Sequence, residues 1–148
     1  MMEITSAAFQ NNQNIPAKYT CDGQNINPPL ELKGVPDKAR SLVLICDDPD
    51  APTGLWTHWT VWNINPQLNK IEENSAPEGG IEGKTSKGEN GYHGPCPPSG
   101  SHRYFFRVFA LDAKLNLDSS ADIGQLQKAM EGHILEQAEL VGLYQRNE

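Results

Sequence analysis

Arg103-Tyr-Phe-Phe-Arg-Val-Phe-Ala-Leu111 is the stretch whose reading decides the fold. It is dense in Phe, Tyr and Val, residue types that fit a pleated, half-buried surface, and it predicts a strand. Phe105, Phe106 and Phe109 read as core side chains. Upstream, Ser41-Leu-Val-Leu-Ile-Cys46 closes a continuous apolar run from Arg40 that suggests a strand buried on both faces. Trp56 to Ile64 mixes Trp, Thr and Val and predicts a third strand. Leu30-Glu-Leu32 alternates behind Pro28-Pro29 and predicts a short one.

Downstream the period changes. Asp118-Ser-Ser-Ala-Asp-Ile123 offers Ser or Asp as helix N-cap. Ile123, Leu126, Met130, Ile134 and Leu135 then recur at helical spacing. Ala138 to Arg146 is ambiguous between helix and strand; Gly142 weakens the helix, and a strand is expected. His133, near the helix end, reads as a cation favourable against the helix dipole. Residues 65–93 are polar, with few large apolar side chains, and read as a long loop leading into a Gly/Pro-rich segment.

The bulk numbers bound the rest. At 148 residues the chain is expected to form one domain, residues 1–148, large enough to bury roughly 70% of its unfolded surface. Eleven prolines and thirteen glycines suit short strands joined by shaped loops. Twelve Lys plus Arg against nineteen Asp plus Glu give −7, without the basic stripe that nucleic acid requires, so that partner class is set aside. The N-terminus has neither a basic n-region nor an apolar h-region, and no apolar stretch is long enough to span a bilayer, so a cytoplasmic location is expected. The three cysteines are an odd count that argues against a disulfide framework. Cys46 reads as a buried thiol, whereas Cys21 and Cys96 are left open between free thiols and a pair formed in an oxidising compartment.

Two segments carry chemistry. Asp47-Asp-Pro-Asp-Ala-Pro52 places three carboxylates within four positions at the end of a buried strand, which is unfavourable unless each has a partner. Pro49 and Pro52 make the loop rigid, and an X-Pro bond here is a candidate for cis. The loop returns into Trp56-Thr-His58, where Trp56, His58 and Thr60 share strand parity and are expected on one face. The second segment is Gly91-Tyr-His-Gly-Pro-Cys-Pro-Pro-Ser-Gly-Ser-His-Arg-Tyr104. His102 and Tyr104 share parity as pocket donors, with the backbone N–H of Gly94 as a further donor. Arg103 points the other way as a salt-bridge candidate for Asp48 or Asp50. His93 reads as a surface residue beside the pocket mouth.

These segments, together with Tyr19 to Leu32 and Leu140-Val-Gly-Leu-Tyr144, resemble the phosphatidylethanolamine-binding protein family, in particular its short bacterial Raf-kinase-inhibitor-like (YbhB/YbcL) branch. The resemblance implies a mainly β (β-rich α+β) fold: a large antiparallel, Greek-key-like sheet, a smaller sheet packed on it, and one or two peripheral helices. It also implies a pocket for phosphate, phosphoryl head groups or similar anions, formed by Asp48, Trp56, His58, Gly94, His102 and Tyr104 and supported by Pro49, Asp50, Pro52 and Arg103. It brings kinase or serine-protease inhibition as possible partner roles. Eukaryotic relatives have a longer first loop with a pocket-lining tyrosine; Thr53-Gly-Leu55 is short here and carries none.

Binding of a small anionic or zwitterionic ligand is the preferred reading. Asp48, Asp50, His58 and His102 are zinc-ligand types, but no His-x-x-x-His or Cys-x-x-Cys pair preorganises them, and neither metal nor cofactor is expected. Asp with two His fits general acid–base chemistry, and Ser99, Ser101 and Cys96 are nucleophile types. None sits in a nucleophile elbow, so a hydrolase is the alternative rather than the expectation. The 65–93 loop is the expected protein-contact surface, and an exposed edge strand allows a homodimer.

Overall fold

The computed structural model describes residues 1–146. The strands in chain order are β1 Glu3–Thr5, β2 Gln13–Asn14, β3 Leu30–Lys33, β4 Ser41–Asp48, β5 Trp56–Ile64, β6 Lys70–Ile71, β7 Ile81–Glu82, β8 His102–Leu111 and β9 Ile134–Tyr144. A 3-10 turn covers Ala17–Tyr19, and one helix, α1, covers Ile123–Met130. The large sheet runs β2-β9-β8-β4-β5-β7 and is antiparallel except where β2 joins β9. The smaller sheet runs β1-β3-β6. The fold is thus the expected β-rich α+β arrangement of two packed sheets.

β4 explains the layering. All eight of its residues are buried, because its period of two sends alternate side chains into two different cores. Leu42, Leu44 and Cys46 meet Ile4, Leu30, Leu32 and Ile71 of the small sheet. Val43 and Ile45 meet Trp62, Leu126 and Met130 beneath α1. Burying a side chain such as Leu126 contributes about 2 kcal/mol. β8 fills the middle, paired with β4 on one side and along its whole length with β9 on the other.

Several expectations are corrected. α1 starts at an Asp122–Gln125 capping box and ends at Met130. Gly132, at φ +79°, then turns the chain back, so Ile134 and Leu135 open β9 instead of extending the helix. Both are exposed, at 46% and 37%, which removes them from the core. His133 lies in that turn, and its Nδ1 bonds the Asp112 carboxylate at 2.8 Å rather than serving the helix end. The 65–93 segment is not structureless: β6, β7 and a Lys84–Asn90 bridge punctuate it. Among the described residues no peptide bond is cis. Cys21 and Cys96 form a disulfide across 75 residues, with Cα atoms 5.5 Å apart, and Cys46 is a buried thiol.

Candidate functional site

The C-terminal end of β4 and the N-terminal ends of β5 and β8 lie side by side, because the three strands are antiparallel neighbours. Over them lies a cavity of about 310 Å³ lined by Asp48, Ala51, Pro52, Thr53, Trp56, His58, His93, Cys96, Pro97, Pro98, His102 and Tyr104. A wider depression of about 740 Å³ at Gly100, Ser101, Tyr144 and Arg146 gathers no buried carboxylate or histidine. The smaller cavity is where the titratable groups converge.

A β-bulge aims His58 into it. Asp48 pairs with Trp56, Asp47 with Thr57 and Cys46 with Trp59, so His58 is the extra residue without a partner on β4. Trp56 and His58 line the cavity. Thr60 does not: past the bulge it pairs with Ile45 and shares the opposite face with Trp62.

Asp48 is buried, and each of its oxygens accepts one bond. Its Oδ2 accepts from His102 Nδ1 at 2.7 Å, and its Oδ1 accepts from the Asp50 backbone N–H at 2.7 Å. His58 donates from Nδ1 to the His93 carbonyl at 2.6 Å. Burial, the dominant influence, holds the basicity of His58 down to about 4, so the ring is neutral near pH 7. A neutral ring with its proton on Nδ1 presents a lone pair at Nε2. The Tyr104 ring lies close to both imidazoles, with centroids 5.2 Å from His58 and 6.4 Å from His102. Its hydroxyl is buried and lies toward the Asp48 carboxylate, but no partner among the described residues meets hydrogen-bond geometry. Burial and then the nearby Asp48 charge push its pKa up, which keeps the phenol protonated and a donor.

The supporting residues divide cleanly. Asp50, not Asp48, takes Arg103: Nε and Nη2 donate to its two oxygens at 2.9 Å each, and the Arg103 backbone N–H adds a third bond at 2.9 Å. The Arg103 guanidinium holds the Asp50 carboxyl down at about 2. Neither residue, nor Pro49, lines the cavity; the pair ties the β4–β5 loop to the start of β8.

Gly94 requires a correction. Its N–H donates to Asn25 Oδ1 at 2.8 Å and is not free for a ligand. A Cβ there would run into the Tyr19 carbonyl oxygen, so glycine serves the close packing of two loops. His93 is also more than a mouth residue. It lines the cavity, stacks on His58 at 6.2 Å and 12°, and exchanges two backbone-involving bonds with that residue. Sequence reading missed Asn25 and underrated His93. Their signal was position: each lies inside a segment already singled out, Asn25 in Tyr19 to Leu32 and His93 beside Gly94.

The cavity wall formed by Cys96, Pro97 and Pro98 is cross-linked to Cys21, and Pro95 accepts from the Cys21 N–H at 3.1 Å. With Cys96 in a disulfide and Ser99 and Ser101 outside the lining, the cavity presents no serine or cysteine nucleophile. No three His, Cys, Asp or Glu side chains among the described residues converge as a metal would need.

The family model described as phosphatidylethanolamine-binding protein matches residues 5–145. A Methanothermobacter thermautotrophicus protein named UPF0098 protein is 51% identical, with 98% of this chain and 99% of the relative covered. A UPF0098 protein of Aquifex aeolicus is 46% identical, covering 99% and 90%. Among solved structures, a phosphatidylethanolamine-binding protein homologue of Chlamydia trachomatis superposes with a TM-score of 0.95 at 43% identity, covering 99% of this chain and 98% of that one. Escherichia coli YbcL, described as a member of the mammalian family, gives 0.92 at 28% identity, with 99% of each chain covered. The chain therefore belongs to the phosphatidylethanolamine-binding protein family.

Proposed function

We propose that the cavity binds a small anionic or zwitterionic ligand of the phosphate, phosphoryl head-group or carboxylate type, and that the protein acts as a binding module rather than a hydrolase. The observation that carries this reading is the Tyr104 hydroxyl. A buried hydroxyl without a partner is unfavourable by about 1–3 kcal/mol, and a ligand oxygen would supply what it lacks. Nε2 of His58 and of His102 make no hydrogen bond among the described residues, and both rings line the same space. The lack of a presented nucleophile favours binding over covalent chemistry. Titration with phosphate and phosphoethanolamine, followed by NMR of the histidine rings, tests it. Shifts confined to His58, His93 and His102 are expected; unchanged resonances up to millimolar ligand would overturn the proposal.

A further inference from the structure

The walls of the cavity are held in unequal ways. The β4–β5 loop is tied by Asp50, which accepts three bonds from Arg103, and by the Asp50 N–H on Asp48 Oδ1. His93 exchanges two bonds with His58, and the next residue, Gly94, is bonded to Asn25. The wall formed by residues 96–101 has no such ties. It carries no charged side chain, and Pro97 and Pro98 lack an N–H. Among the described residues no hydrogen bond joins it to the rest of the chain; the flanking bonds are made by Pro95 on one side and by His102 and Arg103 on the other. Pro97 is its one buried residue, and Cys96, Pro98, Ser99, Gly100 and Ser101 are exposed.

What remains is the Cys21–Cys96 disulfide, and its two ends differ. Cys21 is half-buried in a bonded turn: Thr20 N–H donates to the Ala17 carbonyl and Gly23 N–H to the Thr20 carbonyl, both at 3.0 Å. Its neighbour Asp22 is held by Tyr144 and Arg146. Cys96 belongs to the untied wall. The first half of that wall lines the cavity, and the second half, Gly100 and Ser101, lines the wider depression at Tyr144 and Arg146, so the segment has open space to move into.

We infer that residues 96–101 are a redox-released flap on the cavity: the disulfide clasps them as a fixed wall, and a dithiol reductant unclasps them while both sheets stay folded. The consequence for binding rests on the role proposed above. A charged ligand is held less strongly where water enters, so release of this wall lowers the affinity of the cavity.

The exchange balances. A thiolate of the reductant attacks the sulfur of the exposed Cys96; the Cys21–Cys96 bond breaks, and Cys21 leaves as a thiolate that takes a proton. The second thiol of the reductant then displaces Cys96 from the mixed disulfide. Two electrons and two protons have passed to Cys21 and Cys96, and the reductant has closed its own disulfide. Exposed disulfides are the ones that exchange in this way. Cys46 does not interfere, because it is buried and burial pushes its thiol pKa up, away from the reactive thiolate.

Backbone nitrogen relaxation of the full protein, with and without dithiothreitol, reads the clasp directly. On reduction the order parameters of Cys96, Ser99, Gly100 and Ser101 are expected to fall from about 0.85 to below about 0.6, while those of β4, β5 and β8 stay in place. Calorimetry should show the phosphoethanolamine affinity falling several-fold on reduction and returning on reoxidation. The Cys21→Ser, Cys96→Ser double variant should match the reduced protein and ignore the reductant. If the segment keeps its order parameters after reduction, or if the strands lose their dispersed spectrum together with it, the flap is overturned. If the segment loosens but both forms bind phosphoethanolamine equally, the binding role stands and the gating is overturned. If neither form binds it, the binding role fails, and the relaxation data alone decide the flap.

Discussion

Asp47 and Asp48 are neighbours on β4, both almost wholly buried, and they face opposite sides of one sheet. Asp47 is closed off. Arg107 Nη1 donates to both of its oxygens at 2.8 and 2.6 Å, the Phe105 ring lies 4.8 Å from the guanidinium carbon, and Glu139 takes Arg107 Nε at 3.5 Å. Asp48 is matched with a group that can change its charge, His102, in the wall of a cavity. Burial alone therefore does not mark a functional carboxylate. What distinguishes Asp48 is an imidazole partner with an uncommitted nitrogen, and a buried hydroxyl beside it that makes no hydrogen bond of good geometry.

The open side is expected to depend on its cross-link more than on any single contact. The Cys21–Cys96 disulfide closes a separation of 75 residues and ties down one cavity wall. Chain-entropy reasoning for a loop of that size gives about 4 kcal/mol. Urea unfolding with and without a dithiol reductant, or of Cys21→Ser, should show that difference and a weakened affinity for phosphoethanolamine. Coincident unfolding curves would remove the cross-link from the comparison.

Acid separates the two sides next. Folding depresses the His58 pKa from 6.5 to about 4. As pH falls through 6.5 the unfolded chain takes up a proton that the folded chain refuses. Stability therefore falls between about pH 6.5 and 4 and levels off for this group below that. The shift corresponds to about 3 kcal/mol. His58→Gln should flatten this part of the pH–stability curve; an unchanged curve would show that His58 is not the group held neutral.

On the closed side, Arg107→Ala strands a carboxylate whose side chain is 2% exposed. Breaking a fully buried pair costs 3–5 kcal/mol, but Arg107 is 30% exposed, so about 2 kcal/mol is expected. The loss should appear in the denaturation midpoint, while phosphoethanolamine affinity stays unchanged at temperatures where the variant is folded. A loss of affinity as large as the loss of stability would mean that the two faces are coupled through β4.

How much of this was legible in the sequence follows from the reach of each signal. Strand identity is local, and Arg103–Leu111 and Trp56–Ile64 were readable from residue type alone. Strand parity failed at one residue, because a bulge depends on the register with the neighbouring strand: His58 kept its predicted face while Thr60 lost it. The helical period ran on into Ile134 and Leu135 because β9 begins only four residues after α1 ends, and an apolar pair fits either continuation. The clustered carboxylates correctly implied partners. Arg103 was found since it lies in the motif, and Arg107 was missed since its pairing with Asp47 is set by the β4–β8 register. The Gly94 N–H was assigned to a ligand because Asn25, 69 residues away, leaves no mark near it in the chain.

The smallest expected effect is the most telling, because it has opposite signs for stability and binding. Tyr104→Phe removes a buried hydroxyl that has no partner and leaves the ring between the two imidazoles. Removing an unsatisfied polar group relieves its desolvation penalty, so unfolding stability should hold or rise by up to about 1 kcal/mol. The same change deletes a donor to the ligand, and phosphoethanolamine affinity should drop about tenfold, equivalent to 1.4 kcal/mol. No such division is available on the Asp47 face, where every polar atom removed takes a made bond with it. If Tyr104→Phe instead destabilised the protein by 1 kcal/mol or more, the hydroxyl would already be bonded in the free protein. The contrast between a closed and an open carboxylate would then rest on His102 alone.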